Sequence, residues 1–207
     1  MIADIKIPDS SIVRQAEELA RSVSSDMLFN HVMRCYWLGE LFAQQQAIEI
    51  DHEQLFLSAA FHDLGLTDHA RGSHRFEIES ANAARTFLVD EGVPKDRAQN
   101  VWDDIALHTW DMNLFRGDAS RVVQFGIAYD VVGFPGVELD PADVAEVLRR
   151  YPRLNFTQGF YELLEHDLGS KEHYPHAFHP CSRIAHNRSP LEIVDLSALQ
   201  RNAPFAE

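Results

Sequence analysis

Apolar residues recur at three- and four-residue steps along most of the chain, the spacing that places side chains on one face of an α-helix. This pattern predicts helices over about 11–23, 26–47, 51–65, 73–90, 96–110 and 120–132, a short helix from 140, and a last core helix over 157–168. No stretch alternates apolar and polar residues between hairpin turns, so strands are not expected. The sequence therefore predicts an all-α fold.

Residues at the predicted helix ends support several of these limits. Ser10 or Ser11 suits the N-cap of the first helix, and Asp51 suits that of the third. Gly65 suits the C′ position that ends the third helix. Asp140-Pro141 combines a capping aspartate with a first-turn proline, which is typical of a helix start.

The character of the chain changes near residue 169. The helical pattern fills residues 1–168, and the 207-residue chain, 45% apolar, can bury the core of one domain. Residues 169–207 instead place histidines among Pro, Ser and Arg. We expect a single domain over 1–168 with an irregular C-terminal extension or lid, 169–207, packed on it.

The chain is strongly acidic, with 18 Lys and Arg against 32 Asp and Glu and a net charge of −14. Such a surface repels phosphate backbones and anionic lipid, which argues against nucleic acid and membranes as partners. A small anionic substrate is still possible, since a metal ion can reverse the local field. The sequence has two cysteines outside any CxxC pair, and it shows neither a basic leader nor an apolar run of about 18 residues. We therefore expect a reduced, cytoplasmic protein. Surplus apolar residues such as Phe160 and Phe178 leave room for a homo-oligomer.

The doublet His62-Asp63 directly follows an apolar run over 55–61 that must be buried. A buried carboxylate without a positive partner costs several kcal/mol, so a metal, an Arg or a helix N-terminus should lie beside Asp63. His31 and Asp130 lie in two further apolar helices. Together these two imidazoles and two carboxylates suit one divalent ion with water in the remaining positions. Taken singly, each residue is also explained as a cap or a satisfied core group.

The order His31, His62-Asp63, Asp130 resembles the H…HD…D signature of the HD-domain metallohydrolase superfamily over roughly 26–133. A narrower resemblance, to the cyanamide hydratase branch, lies in four segments: NHVMR at 30–34, AFHDLGL at 60–66, RFEIESANAA at 75–84 and IALHT at 105–109. The resemblance implies an HD-type helical bundle with one divalent metal, zinc foremost and iron or manganese as alternatives. It also implies hydration of a cyanamide, nitrile or isonitrile to an amide or urea.

On this hypothesis Asp63 is both a metal ligand and the general base, because a ligand carboxylate keeps an oxygen near the reacting water. His108 is the second candidate catalytic group, acting on a proton or orienting the substrate. A local pair with Asp104, four residues earlier on one predicted helix, is its alternative explanation.

Three further residues are predicted to contact or support the substrate. Thr109 can hydrogen-bond a small substrate. Arg34 can hold a substrate or Asp63, and an exposed ion pair is the alternative. Glu77 can support the site by orienting a ligand histidine, and an exposed carboxylate at a helix start is the alternative. We also expect the aromatic residues Trp102, Trp110, Phe115 and Phe134 to line an apolar pocket or to pack in the core.

A phosphohydrolase is the leading alternative function. HD enzymes acting on phosphate esters often carry HDxGK, whereas Leu66 occupies the lysine position here. A lysine would stabilise phosphoryl charge, so its absence disfavours a nucleotide, although Arg34, Arg71 or Arg75 can substitute. A non-enzymatic module with a closed structural metal and an iron-dependent oxygenase are the remaining alternatives.

Overall fold

A computed structural model describes residues 5–133 and 136–170. Their fold is all-helical, as predicted, and no strand occurs within these two ranges. The α-helices are α1 (Ser11–Val23), α2 (Asp26–Gln46), α3 (His52–Phe61), α4 (Phe76–Asp90), α5 (Lys95–Ala106), α6 (Asp118–Val132), α7 (Pro141–Arg150) and α8 (Phe156–Gly169). Short 3-10 helices at Leu64–Leu66 and Asp111–Phe115 follow α3 and α5. None of the helices in this part of the chain has both the length and the apolarity needed to cross a bilayer.

Helix α2 forms the centre of the domain and packs most extensively on α6, with α3, α7, α8 and α1 around it. Every residue from His31 to Ala43 is buried, because this helix is apolar on nearly all sides. Its buried polar residues, among them His31 and Arg34, therefore need partners from neighbouring helices.

Gly126 allows α6 to approach α2 closely. A Cβ at this position would overlap the carbonyl oxygen of Cys35 and lie 3.0 Å from the backbone nitrogen of Gly39. The close contact between the two backbones brings His31 and Arg34 on α2 within reach of Asp130 on α6.

The predicted caps are confirmed, but two helix ends differ from the prediction. Ser10 and Asp140 each accept a hydrogen bond from a first-turn backbone amide, and Asp51 accepts two. Helix α3 ends at Phe61, and Gly65 lies in the 3-10 turn rather than at a left-handed C′ position. Glycine is required there for space, since a Cβ would overlap the carbonyl oxygen of Phe76.

Helix α5 also ends early, at Ala106 rather than near Trp110. His108 therefore lies in a turn, where its backbone amide donates to the Ile105 carbonyl oxygen at 3.3 Å. Helix α4 begins at Phe76, three residues after the predicted start. Apart from residues 169 and 170, the predicted extension 169–207 lies outside the described residues.

Candidate metal centre

Three buried side chains bring their ligand atoms together at the junction of α2 and the end of α3. His31 Nε2 lies 3.2 Å from His62 Nε2, and Asp63 Oδ2 lies 3.4 Å and 3.3 Å from these two nitrogens. None of the three residues is more than 1% exposed. We call these three atoms the ligand cluster.

The hydrogen bonds around the cluster fix which imidazole nitrogens carry protons. His62 Nδ1 lies 2.8 Å from the carbonyl oxygen of Ala59, and His108 Nδ1 lies 2.7 Å from that of Ile105. A carbonyl oxygen can only accept, so each Nδ1 is the donor. The Nε2 lone pairs of both rings therefore remain available to a metal.

His31 is oriented in the same way by a carboxylate. Its Nδ1 lies 2.7 Å from Asp130 Oδ2, and it donates to that oxygen. A carboxylate behind a histidine fixes the ring and raises the basicity of the other nitrogen, the arrangement found behind many metal-binding histidines. Phe156 stacks on the His31 ring with 4.5 Å between centroids, which further restrains it.

Asp63 is the feature that most needs a cation. It is 1% exposed, and neither of its oxygens has a hydrogen-bond donor among the described residues. Burial opposes ionisation of Asp63, but the charges of His62 and His31 outweigh burial and hold its pKa below the usual value. The carboxylate is therefore ionised inside the protein, where an isolated charge is costly.

The pKa values of the two histidines diverge. Burial, together with the charges of nearby His108 and His31, lowers the pKa of His62 to about 3. Burial also opposes the charge on His31, but the surrounding Cys35, Asp130 and Asp63 raise its pKa well above the usual value. His62 is therefore neutral, whereas His31 carries a second proton. The resulting positive charge lies next to the Asp63 carboxylate.

The spacing and chemistry of the cluster fit a divalent metal. Zinc–nitrogen and zinc–oxygen bond lengths place neighbouring ligands of a tetrahedral site about 3.3 Å apart. Two imidazoles with one carboxylate occur in catalytic zinc sites and in non-haem ferrous sites. His31, His62 and Asp63 are thus a suitable set of ligands.

Two further residues offer ligand atoms near the cluster. His108 forms a group with His62 and Asp63 whose ligand atoms all lie within 4.8 Å of one another, and Cys35 forms such a group with His31 and His62. Burial raises the pKa of the Cys35 thiol, which therefore stays protonated and is a poor ligand at neutral pH. His108 is the better fourth candidate.

Asp130, predicted as a ligand, lies on the far side of His31 and outside these groups. Its Oδ1 accepts from Arg34 Nε at 2.7 Å, and its Oδ2 accepts from Arg34 Nη2 at 2.8 Å. Arg153 Nη1 donates to the same carboxylate at 3.2 Å. With both oxygens engaged, Asp130 positions His31.

Arg34 lies in the core rather than in an exposed ion pair. It is 0% exposed and binds Asp130, not Asp63. Its Nη1 also donates to the carbonyl oxygens of Tyr151 and Pro152 at 3.2 Å each. These bonds occupy the guanidinium away from any substrate, so the structure corrects the predicted substrate-binding role.

Buried Glu77 pairs with the partly exposed Thr109, which lines the site. Glu77 is 0% exposed, so the alternative of an exposed helix-start carboxylate is wrong. Its Oε1 accepts from the Thr109 hydroxyl and, at 2.8 Å, from Arg75 Nη2. Glu77 therefore fixes the orientation of the Thr109 side chain, which lines the site.

The alternative explanation of His108, a local pair with Asp104, does not hold, because the Asp104 carboxylate bonds to other side chains. The Asp104 carboxylate is 0% exposed and accepts from Arg116 Nη1 at 2.7 Å and from the Ser120 hydroxyl at 2.6 Å. Gln54 and Ser58 also donate to it. These bonds tie α3, α5 and α6 together, which is a structural role.

A cavity of about 150 Å³ opens beside the ligand cluster. Its lining combines the cluster with apolar side chains of α6 and α8: His31, His62, Asp63, Phe76, His108, Thr109, Gln124, Ile127, Ala128, Val131, Val132 and Phe160. No Lys or Arg is among these described lining residues. The cavity therefore suits a small, uncharged molecule.

The lining also shows what sequence reasoning missed. Trp102, Trp110 and Phe115 do not line the cavity: the Trp102 indole donates to Asn82 at 2.9 Å, and Phe115 is 79% exposed. Phe134 lies outside the described residues. Gln124 was not predicted, although it is the one polar residue among the α6 side chains of the lining.

No known protein family matches the chain, and no curated protein matches it either.

Proposed function

We propose that this protein is a metal-dependent hydratase of the HD-domain type that adds water to a small nitrile-like substrate. A cyanamide, nitrile or isonitrile would give a urea or an amide. The observation that carries the proposal is the buried, ionised Asp63 beside two histidine Nε2 atoms at 3.3–3.4 Å, with no hydrogen-bond donor of its own among the described residues. The sequence order His31, His62-Asp63 and Asp130, with His31 and Asp130 on helices and the doublet in the turn after α3, supports the HD assignment.

His31, His62 and Asp63 would hold the metal, with zinc as the first expectation. When bound, such an ion lowers the pKa of a coordinated water from about 15.7 toward about 7 and makes a nucleophile available at neutral pH. Asp130 keeps the His31 ring in place through the 2.7 Å bond to Nδ1.

Hydration bonds the oxygen of water to the carbon of the substrate and leaves both water protons on the product. One proton must leave the attacking water, one must reach the substrate (the nitrogen of a nitrile or cyanamide, the carbon of an isonitrile), and the remaining hydroxyl proton moves to nitrogen as the imidic acid becomes the amide. Asp63 is suited to accept the first proton, because its second oxygen, Oδ1, has no donor among the described residues. With the metal held by His31, His62 and Asp63 alone, His108 is not a ligand: its Nδ1–H is fixed on Ile105, so Nε2 can deliver a proton to the substrate and regain one when Asp63 releases the proton it took from water. Asp63, His108 and His62 each offer a ligand atom within 4.8 Å of the other two.

The cavity determines the size and charge of the substrate. Typical ligand pockets enclose about 300–1,000 Å³, whereas this cavity has about 150 Å³. Its walls carry no cationic side chain within the described residues. These properties support a substrate of a few heavy atoms over a nucleotide.

The test is a hydration assay with zinc-loaded protein and cyanamide, acetonitrile and methyl isocyanide, in which urea or amide formation is measured. We expect turnover of at least one of them and a loss of about 10²–10⁴-fold in Asp63→Asn, the range for a lost general base. Asp68→Asn, which alters a 98% exposed carboxylate, is the matched control and should keep wild-type turnover. Hydrolysis of a nucleoside monophosphate with no turnover of these substrates would overturn the proposal.

A further inference from the structure

Gln124, on α6, lines the cavity and carries a buried acceptor oxygen. The residue is 8% exposed and lines the same cavity as His62, Asp63 and His108. Its Oε1 is buried and has no hydrogen-bond donor among the described residues. A buried amide oxygen left in this way loses the hydrogen bond it would make with water, which is unfavourable.

The orientation of the amide group follows from its other contact. Gln124 Nε2 donates to the backbone carbonyl oxygen of His108 at 2.7 Å. A carbonyl oxygen cannot donate, so the NH₂ end of the amide must face His108 and the oxygen must face away from it. The same bond links α6 to the turn that carries His108.

The remaining polar groups of the wall are committed to other roles. The Thr109 hydroxyl donates to Glu77, and the imidazoles of His62 and His108 donate to backbone carbonyl oxygens through Nδ1. Asp63 is the acceptor for a cation. The Thr109 oxygen can still accept, and Arg75 Nη2 already donates to it at 3.4 Å. Gln124 Oε1 is thus the neutral side-chain acceptor of this wall that has no donor among the described residues.

We propose that Gln124 is a specificity-determining residue whose Oε1 accepts a hydrogen bond from an N–H group of the substrate. The inference rests on the proposed function in treating the cavity as the substrate site, and it narrows the substrate class. Among small nitrile-like molecules it selects those with an amino group on the reacting carbon over those with a methyl group there. Because the Gln124 amide donates to the His108 carbonyl oxygen, a substrate bound to Gln124 is also aligned with the turn that carries His108.

The proposal is tested by binding rather than turnover, with two ligands of equal size. Acetamide and acetone differ by one NH₂ group against one CH₃ group, and their dissociation constants for zinc-loaded protein are measured by NMR titration. We expect the wild type to bind acetamide about 10-fold or more tightly than acetone, since a site built around a buried acceptor rejects a ligand that cannot donate to it. In Gln124→Met the preference should fall to about twofold or less.

The matched control is Gln45→Met. Gln45 Nε2 donates to the backbone carbonyl oxygen of Glu138 at 2.9 Å, so this variant removes the same type of bond at an exposed site away from the cavity. It should keep the wild-type preference. If Gln124→Met does not give the wild-type circular dichroism spectrum, Gln124→Leu is used instead. The comparison of acetamide with acetone in the wild-type protein needs no variant.

Equal affinity of the wild type for both ligands, binding of neither, or an unchanged preference in the Gln124 variant would each overturn the proposal. The hydratase is judged separately by the turnover of cyanamide, acetonitrile and methyl isocyanide. A protein that prefers acetamide through Gln124 but hydrates none of these substrates would refute the hydratase and leave the role of Gln124 standing. In an active enzyme, kcat/KM for cyanamide relative to acetonitrile should fall about 10-fold in Gln124→Met.

Discussion

His31 Nδ1 lies 2.7 Å from Asp130 Oδ2, a hydrogen bond that joins α2 to α6 across the domain. The same carboxylate binds both Nε and Nη2 of Arg34, one turn further along α2. Asp130 therefore connects the position of a candidate metal ligand to a fully buried ion pair. The metal affinity and the stability of the fold should both depend on this carboxylate.

The first prediction concerns metal affinity. In Asp130→Asn the charged acceptor behind His31 becomes a neutral amide, so the ring is less well oriented and its Nε2 is less basic. We expect the zinc affinity, measured by competition with a chelator, to fall about 10–100-fold. Asp68→Asn is the control, and an Asp130→Asn protein with wild-type affinity would show that Asp130 does not position His31.

The second prediction concerns the buried ion pair. Arg34→Met removes two of the donors of the Asp130 carboxylate and leaves it with His31 and Arg153. Losing one partner of a buried pair typically costs about 3–5 kcal/mol. Urea denaturation with a chelator present should show this loss in the free energy of unfolding. Arg149→Met, which removes an exposed ion pair with Glu146, should leave stability unchanged.

A double variant checks the physical reason. In Arg34→Met/Asp130→Asn neither charge of the pair remains, and the amide oxygen can still accept from His31 Nδ1, so part of the stability lost in Arg34→Met should return. A double variant less stable than either single variant would mean that the pair is not the source of the loss.

The third prediction concerns pH. Because the pKa of His31 is raised in the metal-free protein, zinc must displace a proton from this residue at neutral pH. Zinc affinity should therefore rise as pH increases from 6 to 8, with release of about one proton measured by calorimetry in buffers of different ionisation enthalpy.

The metal-free protein should respond in the opposite sense. A histidine with a raised pKa contributes stability that is fully present below about pH 6.5, its unfolded value, and that is lost as pH rises through the folded value. Zinc affinity that is independent of pH over 6–8 would contradict the protonation of His31.

The fourth prediction concerns the contact between α2 and α6. Gly126→Ala introduces a Cβ that overlaps the Cys35 carbonyl oxygen, so the helices must separate. We expect a loss of about 1–3 kcal/mol in thermal or urea unfolding, with weakened zinc binding because Asp130 shifts away from His31. Gly169→Ala, where the new Cβ meets no atom within 4 Å, should lack both effects.

The helices could be predicted from the sequence because their signals are local. The caps Ser10, Asp51 and Asp140 precede apolar periodic segments, and each cap bonds backbone amides of the next turn. The ends of α3 and α5 could not be predicted, because they depend on tertiary contacts. Position 65 requires glycine because the Phe76 backbone packs against it, a contact between residues 11 positions apart.

The candidate site was only partly predictable for the same reason. His62 and Asp63 stand out because a charged doublet follows an apolar run, and the structure brings both to His31. The bonds of Asp130 to Arg34 join residues 96 positions apart, and no local pattern distinguishes a ligand carboxylate from one that supports a ligand. Gln124 carries a weaker signal: it shares a helical face with Ile127 and Val131, both apolar.

Metal analysis of wild-type, His62→Ala and Asp68→Asn proteins purified without added metal, together with zinc titration of each after chelation, is the most direct measurement. If His31, His62 and Asp63 hold one cation, the wild type and Asp68→Asn bind about one equivalent and His62→Ala retains its circular dichroism spectrum but binds none tightly. A folded wild type that binds no divalent metal, or a His62→Ala protein that binds it as tightly as the wild type, would contradict the account.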